Sequence, residues 1–296
     1  MNWRRQAAAL ATACLVQLPG ACAVSAADRG EYLAAAAGCV SCHTEEGDNA
    51  APFAGGRALV TPFGTFYAPN ITPDPETGIG SWSDEDFLRA LQEGAAPGGE
   101  DYFPAFPFTA YSSMTRADAL AIRRYLATLT PVRRTNRPHE LPWYLRSRLA
   151  ASAWKWLAFS PRPFAPDGGR SAEWNRGAYL VRHLGHCGQC HTPRNWFGAL
   201  RDEAEMAGNP EGPEGRRVPN ITPDEQDGIG EWSASDLETF LEIGMLPDGD
   251  FAGAGMGEVI DANTSRLSAA DRSAIAAYLR SLPPLPDTPR QQPGDR

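Results

Sequence analysis

The chain has 296 residues, too many for one small domain and comfortable for two with a connector. Its 27 basic and 36 acidic residues leave a net charge of −9, which argues against nucleic acid as a partner. No stretch beyond an N-terminal apolar run approaches the length of a membrane span, and 26 prolines with 29 glycines point to helices wrapped in loops.

The N-terminus reads as an export signal over residues 1–26. Arg4 and Arg5 precede the apolar run Ala7 to Leu18, and small residues continue to Val24-Ser25-Ala26, with cleavage expected before Ala27. The mature chain is therefore expected in the periplasm. Lipoprotein anchoring at Cys22 is the disfavoured rival, because Pro19 stands where such a signal wants an aliphatic residue.

A first block, residues 27–130, opens with a short helix over Glu31 to Ala37 that leads into Cys39-Val40-Ser41-Cys42-His43. A long loop follows, then Ser83-Asp84-Glu85-Asp86, a serine cap with acids in the first turn, starting a helix from Phe87 to Glu93 that stops at Gly94. The aromatic loop Tyr102 to Phe108 reaches Met114, and Thr115-Arg116-Ala117-Asp118 starts a last helix, Ala119 to Leu129, stopped by Pro131. Residues 131–170 form a connector with 8 basic and 2 acidic residues, whereas residues 29–130 carry 6 and 13 and residues 171–283 carry 9 and 18. Its aromatic, basic stretch from Leu141 to Phe159 is expected to be helical in part, ended by Pro161, Pro163 and Pro166. Such a segment either lies on a membrane surface or packs across both blocks; packing is preferred, since Trp in a connector buries more often than it anchors.

The second block, residues 171–284, repeats the first at an offset of 148 to 150 residues. Gly30-Glu31-Tyr32-Leu33 matches Gly177-Ala178-Tyr179-Leu180, Pro69-Asn70-Ile71-Thr72-Pro73-Asp74 matches Pro219-Asn220-Ile221-Thr222-Pro223-Asp224, and Cys39 to His43 matches Cys187-Gly188-Gln189-Cys190-His191. Helices are expected at Trp174 to Leu184, Leu237 to Ile243 and Arg272 to Leu282, with Gly244 and Pro283 as stops. In each block the first and last helices offer apolar stripes, Tyr32, Leu33 and Ala36 facing Ile122, Tyr125 and Leu126 in the first, and should cross. The tail, 285–296, should be mobile.

Two thiols three positions apart can add across the vinyl groups of one haem, and the histidine that follows is placed to ligate its iron. Zinc or a thioredoxin-type pair gives no reason for a histidine after the second cysteine in both copies. Two covalent haem c groups are therefore expected, on Cys39, Cys42 and His43 and on Cys187, Cys190 and His191. With Cys14 and Cys22 in the signal, no cysteine is left for a disulfide. The chain reads as a dihaem cytochrome that moves electrons.

The sixth ligand decides between a closed carrier and an open, reactive haem. Of Met114, Met206, Met245 and Met256, Met114 stands well for the first haem, immediately before the last helix of its block. In the repeat that place is Leu267, which cannot ligate. Met256, in the glycine-rich loop Ala252 to Gly257, is the better candidate there, with Met245 as its rival at a helix end and Met206 read as packing or surface. Bis-histidine ligation by His139 is a lesser alternative; His183 and His186 read as solvent-facing or hydrogen-bonded. Trp82, Trp232, Asn70, Asn220 and Arg57 could meet haem propionates, but core tryptophans and turn asparagines are the safer reading.

The first Cys-x-x-Cys-His motif, Phe63 to Asp74, the Tyr102 to Met114 loop, Ser171 to Leu180 and His186 to Asn195 together resemble the cytochrome c subunits of bacterial membrane-associated alcohol and gluconate-type dehydrogenases, from about Gly30 to Leu285. The resemblance implies His and Met axial ligands, His43 with Met114 and His191 with Met256, and a role taking electrons from a catalytic dehydrogenase and passing them to quinone or an oxidase. Those subunits commonly have three haem domains and a membrane-attaching C-terminus, whereas this chain stops after two; a soluble shuttle, or a partner of another periplasmic oxidoreductase, becomes more plausible.

The expected fold is all-α, two tandem class I cytochrome c domains joined by a partly helical linker. The expected function is electron relay between redox partner proteins, not catalysis, with peripheral membrane contact through the connector as a secondary expectation. The alternative is a haem enzyme with one open or weakly ligated haem, of the dihaem peroxidase or thiosulfate-oxidising kind.

Overall fold

The computed structural model describes residues 26–288. The expected export signal, with Cys14 and Cys22, and the tail beyond residue 288 lie outside the described residues. The chain is mostly helical, and its two halves repeat the same devices at matching positions.

In the first half, α1 (Ala26–Ala36) turns at Gly38 into the short α2 (Cys39–Cys42). A two-stranded antiparallel hairpin follows, β1 (Ala58–Thr61) and β2 (Gly64–Tyr67), where the sequence pointed only to loop. Four-residue strands are too short for alternation to stand out; Gly64, at φ 124°, lets the chain reverse. Next come α3 (Asp84–Glu93), α4 (Phe108–Tyr111) and α5 (Arg116–Leu126). Ser83 and Asp86 form a reciprocal capping box on α3, and Gly94 closes it in the left-handed region, as the serine and glycine signals require.

The connector holds a 3-10 turn at Trp143–Leu145 and α6 (Arg148–Ala158). The second half supplies α7 (Ala172–Tyr179), which runs into a π turn at Leu180–Leu184, then α8 (Gly188–His191), α9 (Ala234–Ile243), α10 (Ala254–Ala262) and α11 (Ala269–Leu279). Ala252 to Gly257, expected as loop, contains the start of α10. Three glycines lower helix propensity, but Ile260 is buried and Glu258 pairs with Arg57, and tertiary contacts prevail.

The last helices end three residues short of the expected Leu129 and Leu282. The Thr128 and Ser281 hydroxyls bond back to the Tyr125 and Tyr278 carbonyls, taking acceptors that another turn would need.

The first and last helices of each half cross at a glycine. A Cβ on Gly30 would lie 2.3 Å from the Ala121 carbonyl oxygen, and one on Gly177 2.0 Å from that of Ala274, so only hydrogen lets the backbones approach this closely. Leu33, Ala36, Ile122 and Leu126 are buried at the first crossing, as expected.

Tyr32 and Tyr179 do something else. Tyr32 donates to Asp271 of α11 at 2.5 Å and accepts from the Ser268 N–H at 3.1 Å; Tyr179 donates to Asp118 of α5 at 2.7 Å and accepts from the Thr115 N–H at 3.2 Å. Ser268 and Thr115 are the N-caps of α11 and α5. Each half thus finishes the start of the other's last helix.

The connector packs against both halves. Glu140 bridges to Thr65 beside the hairpin, Lys155 pairs with Asp101 at 2.6 Å, and Ser113 bonds the Arg162 carbonyl. On the other side, Trp154 donates to the Phe197 carbonyl at 2.8 Å, and Phe164 lies against Tyr179 and His183. Its tryptophans do not all bury, however: Trp143 is 81% and Trp156 83% exposed. The tail is held up to residue 288. Leu285 bonds Thr222 and Asn220, Asp287 pairs with Arg217, and Thr288 donates to Ala207.

Candidate functional site

Each Cys-x-x-Cys-His motif forms a single helical turn, which sets its two thiols on one side. The chain enters the first motif through Gly38 at φ 67°; the matching residue in the second, His186, holds φ 40°, a conformation costly for a side chain of that size. The four cysteines are free and half-buried. Burial pushes Cys39 and Cys187 up to about 12 and Cys42 to about 11, so the thiols stay protonated at neutral pH. The two motifs approach each other at their entries, where a Cβ on Gly38 would lie 3.8 Å from His186 Nε2.

The histidines are oriented identically. His43 Nδ1 lies 2.7 Å from the Pro69 carbonyl oxygen and His191 Nδ1 2.7 Å from that of Pro219. A carbonyl only accepts, so Nδ1 carries the hydrogen and Nε2 keeps its lone pair for a metal. Burial lowers both imidazoles, holding them neutral. Two thiols on one turn with one imidazole free at Nε2 is a donor set that fits covalent haem. Among the described residues, no group of three or more His, Cys, Asp or Glu side chains converges on a common point for a bare ion.

Asn70 and Asn220 fix the loops that present those prolines. Asn70 Oδ1 accepts from the Thr72 N–H and hydroxyl, while Nδ2 donates to Thr77 and the Val132 carbonyl; Asn220 repeats this with Thr222 and Leu285. Asn70 is thereby fully used within the protein, with nothing left for a propionate. Arg57 is committed to Glu258 and Glu46, and Trp82 and Trp232 pack against the core.

Met114 is buried among Leu33, Ile122 and the rest of the core. A groove of about 900 Å³ between the connector and the first half, lined partly by Trp156, Phe159 and Phe164, reaches it. Leu267, its counterpart, is buried too. Met256 is half-buried in the first turn of α10, which lies beside α2; Asn263 beyond its end bonds Ser41 at 3.0 Å, and Glu258 meets Arg57. Met245 is 36% exposed. Met206 is a core residue at φ 64°, in the place of Phe53 at φ 62°. Its Cε lies 3.3 Å from where Gly188 would carry a Cβ, and its carbonyl accepts from Ile221 as that of Phe53 does from Ile71.

The spare histidines are partly buried, each packed against an aromatic ring. His139 accepts from the Tyr67 N–H at 3.1 Å and packs on Phe66 and Phe103; His183 lies between Phe164 and Tyr179; His186 lies edge-on to Tyr111, whose hydroxyl donates to the Ala37 carbonyl at 2.6 Å. Sequence reasoning missed this layer between the halves. Its one legible signal was that Tyr at the Gly-x-Tyr-Leu position and Asp at the last-helix start both recur in both copies.

Residues 27–130 match the model of the cytochrome c family. A dihaem c-type cytochrome of Cereibacter sphaeroides is 44% identical over 264 residues, covering 88% of this chain and 86% of that one. The gluconate 2-dehydrogenase cytochrome c subunit of Pantoea cypripedii is 39% identical and the fructose dehydrogenase cytochrome subunit of Gluconobacter japonicus 40%, each over 86% of this chain. The chain spans only 59% and 52% of those two relatives' lengths.

Proposed function

The chain belongs to the cytochrome c family and binds haem c covalently, and from that premise we propose that it is a two-haem electron relay of the periplasm, built from two tandem cytochrome c domains, residues 27–130 and 171–284, and serving a dehydrogenase. The observation that carries this reading is the duplicated donor set: a Cys-x-x-Cys turn with a histidine whose Nδ1 is tied to a proline carbonyl, in both halves. Haem c supplies a one-electron couple whose potential responds to axial ligand and burial. Cys39 and Cys42, and Cys187 and Cys190, would hold it by thioether bonds, and His43 and His191 would each offer Nε2 to the iron. Met114 and Met256 would supply the sulfur ligands. Met114 is already enclosed by core side chains that exclude water; Met256 sits on α10, which Arg57 and Ser41 of the first half hold in place. The connector fixes one half relative to the other. The names of the relatives, cytochrome subunits of gluconate and fructose dehydrogenases, support a dehydrogenase as donor.

A haem enzyme is the competing reading, and it draws on Leu267 in the place of Met114 and on the partial exposure of Met256. Haem stoichiometry and the ferric spectrum of the purified protein separate the two. The relay reading expects two haems per chain and a sulfur-to-iron band near about 695 nm with the intensity of two Met-ligated sites. Met256→Ala should convert one haem alone to a high-spin or water-ligated form. One haem per chain, or a band unaffected by that substitution, overturns the assignment.

A further inference from the structure

The connector's inner face is spent on the two halves; its outer face has no partner. On α6, Ala151 is fully buried, while Trp154 and Lys155 are half-buried and bonded to the second and first halves. Leu149, Trp156 and Leu157 stand on the opposite side, exposed by 78%, 83% and 70%. Their spacing, with exposed Ala153 between them, makes one stripe along the helix. Just before α6, Trp143 and Tyr144 are exposed and packed edge to face on each other at 5.8 Å. Burying the inner face explains why this amphipathic helix forms, but not why its outer side carries large apolar groups instead of charge.

The charges around the stripe narrow the choice of occupant. The connector carries 8 basic residues against 2 acidic in a chain whose net charge is −9. Arg133, Arg134 and Lys155 are paired with Glu76, Glu45 and Asp101. Among the described residues, Arg146, Arg148 and Arg162 have no carboxylate partner, and Arg146 and Arg148 are exposed in the turn between Tyr144 and Leu149. Tryptophan, tyrosine and leucine beside unpaired arginines is a surface with apolar groups to sink at the headgroup boundary and cations to meet phosphate.

We propose that the outer face of the connector, from Trp143 to Leu157, is a docking surface for an anionic lipid bilayer, holding the protein peripherally on the membrane. The described residues contain no helix long and apolar enough to cross one. Docked this way, the chain lies with the groove that reaches Met114 beside the bilayer, because Trp156 belongs to both the stripe and the groove wall. The proposal goes beyond the relay reading and stands whether or not Met256 ligates iron.

The test is co-sedimentation of the full haem-loaded protein with sucrose-loaded vesicles, read by the visible haem absorbance. Vesicles of phosphatidylcholine alone are compared with equal parts of phosphatidylcholine and phosphatidylglycerol, across a salt series. Binding is expected to the anionic vesicles and to weaken with salt. Arg146→Gln with Arg148→Gln should weaken it about thirtyfold, from roughly 1 kcal/mol per cation at an anionic surface. Trp143→Ala with Leu149→Ala, neither of which lines the groove, should weaken it about tenfold or more, with haem content and spectrum unchanged. These side chains are exposed, so the variants should fold. No binding to anionic vesicles, as for a face that meets only another protein, overturns the proposal; so does binding that both double variants retain.

Discussion

Replacing Tyr179 by Phe removes one hydroxyl and nothing else, and the structure says what that hydroxyl does. It donates to the Asp118 carboxylate at 2.7 Å and accepts from the Thr115 N–H at 3.2 Å. Asp118 is 4% exposed, so water cannot freely replace the lost donor. Hydrogen bonds to charged groups contribute about 1.5–3 kcal/mol, and a buried carboxylate short of a donor falls toward the upper end. Asp118 keeps Arg29 at 2.5 Å, which caps the loss. A cost of roughly 2–3 kcal/mol follows, or about 3–5 °C in Tm at this chain length. Tyr32→Phe should cost less, about 1.5 kcal/mol, because Asp271 retains two bonds from Arg176 at 2.8 and 2.6 Å. The assay is thermal and urea unfolding of the haem-loaded protein by far-ultraviolet circular dichroism, with Tyr144→Phe, an exposed hydroxyl, as control. A loss below about 0.5 kcal/mol for Tyr179→Phe, no larger than expected for a surface substitution, would refute the claim that the halves cap one another's helices.

Gly177→Ala drives a methyl group into the Ala274 carbonyl and should destabilise by about 1–3 kcal/mol or more in the same melts, whereas Gly99→Ala meets no atom within 4 Å and is opposed only by its positive φ. Met206→Leu conserves volume at a core site and should leave the methionine–iron band intact; a halved band would make Met206 a ligand. At Asp271, burial raises the carboxyl, but the bonds from Arg176 and Tyr32 outweigh it and hold the pKa below the ordinary value. Its contribution to stability is therefore present above the unfolded-state pKa, near about 4, and is lost as pH falls through the lower folded value. Asp271→Asn should flatten that acid limb in urea titrations at stepped pH; an unchanged limb would show that other carboxylates dominate it.

The motifs and the main helices were legible because local chemistry specifies them. Ser83, Ser233, Gly94 and Gly244 mark helix ends through bonds within a few residues of themselves. The hairpin was not legible, since two four-residue strands carry too little periodicity, nor was α10, whose glycines argue for loop until Ile260 is seen to be buried. The contact layer between the halves lay furthest from reach. Tyr32 and Tyr179 read as core residues of their own helices, and their hydroxyls meet partners 239 and 61 residues away. Composition favoured burial of the connector's tryptophans; α6 buries its small residue, Ala151, and turns Trp156 outward.

The mutual capping also bears on the order in which the protein completes itself. A chain that emerges from its N-terminus presents Thr115 and α5 well before Tyr179 exists to cover them, while α11 finds Tyr32 already waiting. The first half therefore has an interval in which its last helix has an open start and its cysteine motif has no second half against it, and the second half never does.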